Sequence, residues 1–180
     1  VYLNIDVLDY NERMDGMKSS FSDFINNSSN YKSTFMKYAK VTNIFFAGHF
    51  YASGAPYLFT REDVKLNNFN ISVVADISCD IDGPVATTIK SSTIDNPIYG
   101  YNPITESEDN FKNNDVIAVM AVDNLPCELP KDSSEDFGEN IIKHIIPIIN
   151  KNNEIIKCAT ICKDGDLTDE FEYLRDYINS

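Results

Sequence analysis

The chain has 180 residues, a formal net charge of -13 at pH 7 and a hydrophobic content of 43%. That hydrophobic content supports a folded core in one ordinary domain and excludes a disordered chain. A surface so acidic repels phosphate backbones, so we expect no nucleic-acid partner. No apolar run reaches transmembrane length and no basic amphipathic stretch is present, so we expect no membrane contact.

The first elements in the chain are predicted from apolar runs and helical spacing. Residues 1–8 are rich in branched apolar residues and predict a strand. Residues 20–40 carry aromatic residues at helical intervals and predict one or two helices. Three further predictions follow in order: a strand over 43–48, a helix over 61–66 that begins after Thr60, and a strand over 71–77.

The second half of the chain begins with a strongly apolar strand, predicted over 116–122. A helix is predicted over 133–150, with Asp132 and Glu135 as an approximate capping box and a kink or break at Pro147. The remaining predictions are a strand over 155–161, a turn at Asp164–Gly165 and a final helix over 168–178.

Continuous apolar runs separated by helices predict a parallel sheet of βαβ units. The fold class predicted is therefore α/β, a Rossmann-like, doubly wound and mainly parallel sheet. A glycine-rich phosphate loop is absent, and residues 1–8 resemble a second strand, so we expect a sheet truncated at its N-terminus. The predicted organisation is a partial dinucleotide-binding domain over 1–150 and a C-terminal segment over 151–180.

Ligands of such sheets bind beyond the carboxyl ends of the strands. Asp6 and Asp9 stand at the end of the first predicted strand, where an acidic residue accepts hydrogen bonds from ribose hydroxyls, although the pattern fits solvated turn carboxylates equally. His49 ends the next strand and fits either a ligand contact or a structural role.

The four cysteines are Cys79, Cys127, Cys158 and Cys162, and none forms a Cys-x-x-Cys pair. This spacing favours reduced thiols and a cytoplasmic location. No metal site is predicted. Residues 78–83 match the first half of a calcium-binding EF-hand loop, but Ile89 stands where the last ligand must be a carboxylate.

Two long stretches, ISVVADISCDIDGPVATTIKSSTIDNPIYGYNP and AVDNLPCELPKDSSEDFGENI, resemble the C-terminal half of the saccharopine dehydrogenase family. The most specific part is the Leu-Pro-rich pattern from Val122 to Phe137, and Ser92–Pro97 is a second marker. The resemblance implies an oxidoreductase of two Rossmann-like domains that interconverts saccharopine with lysine and 2-oxoglutarate, using NAD or NADP. It also implies that residues 151–180 pack back on an N-terminal domain.

The family's pattern implies which residues here face the ligands. The cofactor neighbours are Tyr51, Ile77, Val122, Asp123, Asn124 and Leu125, besides Asp6 and Asp9. The substrate-facing turn is Ser78, Cys79 and Asp80. The family's catalytic lysine and histidine lie in an N-terminal domain, so no catalytic residue is assigned, and we expect the isolated chain to be inactive and to self-associate.

Two other functions fit the same sequence. One is an alanine dehydrogenase-like enzyme acting on a small amino acid. The other is a nucleotide-sensing module that keeps the fold and has lost the chemistry. The carboxylates Asp6 and Asp9 favour NAD over NADP, because they repel a 2′-phosphate.

Overall fold

A computed structural model describes residues 2–51, 54–151 and 153–178. The chain divides into two units, Val1–Glu128 and Leu129–Ser180. The boundary between these units lies near residue 128, whereas the sequence analysis placed a boundary at residue 150. No helix within the described ranges is both long enough and apolar enough to span a lipid bilayer.

The first unit is built on a mixed five-stranded sheet with the order β3-β4-β7-β5-β6. Its strands are β3 (Ile44–Ala47), β4 (Val73–Asp76), β5 (Ile98–Asn102), β6 (Ser107–Asp109) and β7 (Ile117–Met120). β3, β4 and β7 are parallel, and β5 and β6 add an antiparallel edge. The mainly parallel α/β sheet predicted from the sequence is confirmed.

The register of the parallel strands separates a buried face from a more open one. Phe45, Val74 and Val119 stand in one row, and both valines are fully buried. The core continues from this row into an aromatic cluster in which Phe35 stacks on Phe59. On the opposite face, Ile44 and Phe46 are 56% and 68% exposed.

The predicted strands over 43–48, 71–77 and 116–122 are confirmed as β3, β4 and β7. The predicted strand over 1–8 is wrong, since residues 2–6 form no regular element and residues 7–9 form a turn. A turn forms instead of a strand because the side chains of Asp6 and Asp9 accept two of its backbone N–H groups, which are then unavailable to a neighbouring strand.

Smaller elements of the first unit frame the sheet. A small antiparallel sheet pairs β1 (Asn11–Arg13) with β2 (Tyr31–Ser33). The helices are α1 (Phe21–Asn26), α2 (Met36–Ala39) and α3 (Arg61–Val64), with 3-10 turns at Ser28–Asn30 and Leu125–Glu128. The prediction of one or two helices within 20–40 is therefore confirmed by α1 and α2, although β2 lies between them. Thr60 caps α3 as predicted, and its hydroxyl and the Asp63 carboxylate form a capping box.

The second unit is mainly helical. Its elements are α4 (Pro130–Asn140), a π-helical turn (Ile141–Ile145), α5 (Glu154–Ala159), β8 (Cys162–Lys163), β9 (Asp166–Leu167), a 3-10 turn (Asp169–Leu174) and α6 (Arg175–Ile178). The strand predicted over 155–161 is wrong because this segment forms α5, in which the Asn153 side chain caps the N–H of Ile155. Cys158 and Cys162 therefore do not share a strand.

The start of the long helix also differs from its prediction. The helix begins with Pro130 at its first turn, so Asp132 and Glu135 lie inside it and do not form the predicted capping box. The helical segment ends before Pro147, which lacks the N–H that a continuing helix needs. The turn at Asp164–Gly165 is confirmed, since it joins β8 to β9 with both residues at positive φ.

Candidate functional site

The ends of the three parallel strands meet at one edge of the sheet in the first unit. Because β3, β4 and β7 are adjacent and parallel, their carboxyl ends point in the same direction. The segments that follow them hold most of the predicted site residues: Tyr51 after β3, Ile77–Asp80 after β4, and Val122–Leu125 after β7. The structure therefore brings these residues to the common edge that the sequence predicted.

The turn after β4 is organised by a residue that sequence reasoning did not single out. Asp76 is the last residue of β4 and is only 1% exposed. Its Oδ1 accepts the N–H groups of Ser78 and Cys79, each at 3.1 Å, and its Oδ2 accepts the hydroxyl of Thr88 at 2.7 Å. These bonds hold Cys79 in the left-handed region, with φ at 54°.

The side chains of the same turn reach the ends of both neighbouring strands. The Ser78 hydroxyl donates to the carbonyl of His49, beyond β3, at 2.7 Å. The Cys79 thiol donates to the carbonyl of Ala121, beyond β7, at 3.2 Å. Both predicted substrate-facing side chains are therefore structural ties as well as groups at the ligand edge.

The segment after β7 is fixed by Ser92. The Ser92 hydroxyl accepts the N–H of Ala121 at 3.0 Å, and the N–H of Ser92 donates back to the Ala121 carbonyl at 2.8 Å. Val122 is buried beside this contact, whereas Asp123 and Asn124 are exposed to solvent. Leu125 begins the 3-10 turn that leads out of the sheet.

A cavity of about 350 Å³ lies beside the ends of β3 and β4. Asp6, Gly48, His49 and Ile77 line it, together with other residues of the N-terminal segment 2–10 and of β3. Its size falls within the range of small-molecule pockets, and its lining mixes apolar with polar groups as such pockets do. Two of the predicted cofactor neighbours, Asp6 and Ile77, therefore face one cavity.

Asp6 and Asp9 lie in the same turn but differ in position. Asp9 accepts the N–H of Asp6 through Oδ2 at 2.7 Å, and Asp6 accepts the N–H of Val7 through Oδ1 at 2.6 Å. Asp6 lines the cavity and Asp9 does not. Both carboxylates thus shape the turn, and Asp6 also reaches the cavity.

Tyr51 is linked to the loop that follows β4 through the ring of Tyr57. Its ring makes an edge contact with Tyr57, with 5.8 Å between centroids, and the Tyr57 hydroxyl donates to the carbonyl of Asp82 at 3.2 Å. Burial, followed by the nearby Tyr57 and Asp80, raises the pKa of the Tyr51 phenol. Tyr51 is therefore a neutral phenol close to the predicted substrate-facing turn.

Burial and carboxylates set the electrostatics of the edge. Burial raises the pKa of the Cys79 thiol, and the charges of Asp76, Asp123 and Asp80 raise it further. Burial lowers the pKa of His49, opposed by the charges of Asp76 and Asp80, so the imidazole is neutral at pH 7. The Nε2 atom of His49 is buried and has no hydrogen-bond partner among the described residues.

Sequence reasoning missed three residues of this edge. Asp76 was counted as part of a strand, although a carboxylate ending an apolar run was a signal for a turn-forming residue. Thr88 and Ser92 lie inside a stretch that carries the family resemblance, but nothing in the sequence indicated their hydrogen bonds, because their partners are 12 and 29 residues away.

The chain is similar to known proteins over most of its length. The family model described as alanine dehydrogenase/PNT, C-terminal domain, matches residues 3–170. Alpha-aminoadipic semialdehyde synthase of Arabidopsis thaliana is 30% identical over 119 residues, which is 63% of this chain and 11% of that protein.

Two further relatives are similar at lower identity. The mitochondrial alpha-aminoadipic semialdehyde synthase of Mus musculus is 24% identical over 164 residues, covering 76% of this chain and 18% of the relative. The NAD(+)-dependent, L-lysine-forming saccharopine dehydrogenase of Schizosaccharomyces pombe is 28% identical over 101 residues, covering 54% of this chain and 26% of the relative. The chain thus spans between about a tenth and about a quarter of the length of these relatives. A cytoplasmic location stays a prediction.

Proposed function

Because the chain belongs to the alanine dehydrogenase/PNT C-terminal domain family, and is thus a dehydrogenase-type domain, we propose that it is the pyridine-nucleotide-binding portion of a saccharopine dehydrogenase-like oxidoreductase. The reaction proposed for the whole enzyme is the NAD(P)-dependent interconversion of saccharopine with lysine and 2-oxoglutarate. The observation that carries this proposal is the convergence of the segments after β3, β4 and β7 at one edge, beside a cavity lined by Asp6 and Ile77.

We propose that this cavity binds part of the nucleotide. Asp6 lines this cavity, and the role proposed for it is to accept hydrogen bonds from ribose hydroxyls. Its charge favours NAD over a cofactor with a 2′-phosphate, and NADP is the second candidate. Ile77 is 52% exposed and offers an apolar surface to a flat ring. The nucleotide, when bound, supplies or accepts a hydride, and the residues of this chain bind and orient it.

The acidic character of the edge supports a substrate that carries an amine. Asp80 follows Cys79 in the chain, and Asp123 stands two residues after Ala121, whose carbonyl accepts a hydrogen bond from the Cys79 thiol, so both aspartates belong to segments that meet at this thiol. Neither side chain accepts a hydrogen bond from another residue of the described ranges. Two carboxylates with free acceptor oxygens favour a ligand with an ammonium group, as in lysine or saccharopine.

The test uses the longest protein that the gene encodes. It compares Asp123→Ala with the control Asp169→Ala, which removes the same charge from the second unit. Oxidation of NADH and of NADPH is followed with lysine plus 2-oxoglutarate. Asp123→Ala should lower kcat/KM at least tenfold, about 1.4 kcal/mol of transition-state stabilisation, while the control stays within twofold. An unchanged kcat/KM in Asp123→Ala removes that residue from the site.

The family description also supports a second candidate, an alanine dehydrogenase-like enzyme. Assays with pyruvate plus ammonia distinguish it from the first, because only this candidate oxidises NADH with that pair. A protein that binds nucleotide and turns over neither substrate pair is the sensing module instead.

A further inference from the structure

Asp76 is a buried carboxylate whose acceptor oxygens are committed to the protein itself. It is 1% exposed, and its three donors are two backbone N–H groups of the next turn and the hydroxyl of Thr88. A buried carboxylate is retained only when such donors replace its hydration. Asp76 therefore does not serve the ligand directly, in contrast to Asp80 and Asp123.

The turn that Asp76 fixes connects three strand ends. Ser78 ties it to the carbonyl of His49 at 2.7 Å, and Cys79 ties it to the carbonyl of Ala121 at 3.2 Å. The two backbone N–H groups held by Asp76 belong to these same two residues. Loss of the carboxylate would free the N–H of Cys79 and leave the N–H of Ser78 with only its longer bond, 3.3 Å, to the Ala47 carbonyl, so it would weaken both ties together.

The backbone of Cys79 needs this support. A non-glycine residue with φ at 54° is in a sparsely populated conformation, which persists only when its surroundings hold it. Thr88 is fully buried and anchors the far oxygen of the carboxylate, so the carboxylate itself has a fixed orientation.

We propose that Asp76 is a positioning residue that sets the spacing of the ligand-binding segments after β3, β4 and β7. It acts through Ser78 and Cys79 and touches neither cofactor nor substrate. The inference rests on the proposed function in so far as these segments bind the nucleotide and substrate.

The first arm of the test measures amide hydrogen exchange in the peptide that covers residues 77–80 of the 180-residue chain. Asp76→Ala should raise exchange at least tenfold for the N–H of Cys79 in this peptide, because Asp76 is its acceptor, whereas the N–H groups of Ile77 and Ser78 keep the Ala47 carbonyl. Asp76→Asn keeps an amide oxygen for both N–H groups and an NH2 group that donates to the Thr88 hydroxyl, so its exchange should stay within threefold of the parent. Rescue by asparagine identifies hydrogen-bond geometry, rather than charge, as the contribution of Asp76.

A matched control separates positioning from general loss of stability. Val119→Ala truncates a fully buried side chain of β7 and should raise exchange throughout the core of the first unit. The increase in Asp76→Ala should instead be confined to the turn. If Asp76→Ala does not fold, Thr88→Val, which removes one of the three donors, should raise exchange at 77–80 about threefold.

The second arm measures NADH binding by the longest natural product of the encoding gene. Asp76→Ala should weaken binding at least tenfold, and Asp76→Asn should leave it within threefold. The proposal is overturned if Asp76→Ala leaves amide exchange at residues 77–80 unchanged. Where Asp76→Ala does not fold, unchanged exchange in Thr88→Val overturns it. A parent protein that binds no NADH but shows the expected exchange pattern overturns the proposed function and leaves the structural role of Asp76 standing.

Discussion

Gly83 provides a sharp test of how tightly the loop after β4 is packed. A Cβ atom added at Gly83 would lie 2.7 Å from both the Cβ and the carbonyl oxygen of Asp80. Nonbonded carbon atoms prefer separations of about 3.5–4.0 Å, so Gly83→Ala must displace Asp80 by roughly 1 Å. Gly83 is not among the residues with positive φ, and the effect is therefore steric.

The cost follows from overpacking a buried site. Extra methyl groups forced into a packed region typically cost about 1–3 kcal/mol. For a chain of this length, each kcal/mol lowers Tm by about 2–4 °C. We therefore expect Gly83→Ala to lower Tm by at least about 2 °C. Under the proposed function it should also weaken substrate binding, because it displaces Asp80 from the proposed substrate-facing turn.

The measurement is thermal unfolding followed by circular dichroism. Gly48→Ala is the matched control, since Gly48 directly follows β3 at the same edge and a Cβ there meets no atom within 4 Å. The control should keep the parent Tm within about 1 °C, which is a change well below 1 kcal/mol. Equal Tm values for the parent and Gly83→Ala would show that the loop is loose and would refute the close packing of Asp80 on Gly83.

Three further predictions concern acid stability, thiols and association. His49 has a pKa lowered by burial, so only the unfolded chain gains its proton as the pH falls below about 6.5. The free energy of unfolding should therefore fall as the pH drops below that value, and His49→Gln should flatten this part of a plot of the urea midpoint against pH. Equal slopes for the parent and His49→Gln would contradict the prediction. Ellman's reagent should react with three thiols quickly and with one thiol, Cys79, slowly. The Cys79 rate should increase with pH, because the pKa of this thiol is raised. A disulfide or four equal rates would contradict the assignment. Light scattering should find a dimer or larger species, because Ile44 and Phe46 leave an apolar sheet face open. The variant with lysine at both positions should be monomeric, whereas the control Ile104→Lys should remain associated. A monomeric parent would refute the prediction.

The central strands were predictable because their signal is local. Residues 71–77 and 116–122 are apolar runs of strand length, and burial on a sheet demands little more than that pattern. The same rule failed at residues 155–161, where the Asn153 cap and the helical spacing of Glu154 and Lys157 outweigh the apolar run.

The hairpin of β5 and β6 was missed for the opposite reason. Its first strand contains Gly100, and a Cβ there would lie 2.8 Å from the backbone of Asp109 on the partner strand. Glycine is thus required by the close approach of the two strands, and a glycine in sequence alone weakens a strand prediction. Pairing with β7, not local propensity, decides this segment.

The position of the candidate site was predictable and its internal support was not. The ends of apolar runs mark the carboxyl edge of a parallel sheet, which located Ser78, Asp80 and Asp123. The contacts of Asp76 with Thr88 and of Ala121 with Ser92 depend on which segments the fold brings together. Single-sequence patterns carry no information on such pairs.

The carboxylates at this edge have two effects that reinforce each other. Asp80 and Asp123 present negative charge to a ligand, and together with Asp76 and burial they raise the pKa of the Cys79 thiol. Only the protonated thiol can donate to the Ala121 carbonyl, because a thiolate would repel that oxygen. The charge that would attract the proposed cationic ligand therefore also keeps Cys79 in the form that ties β4 to β7. Alkylation of Cys79 removes the donor, so it should loosen the edge even where the added group does not block the ligand.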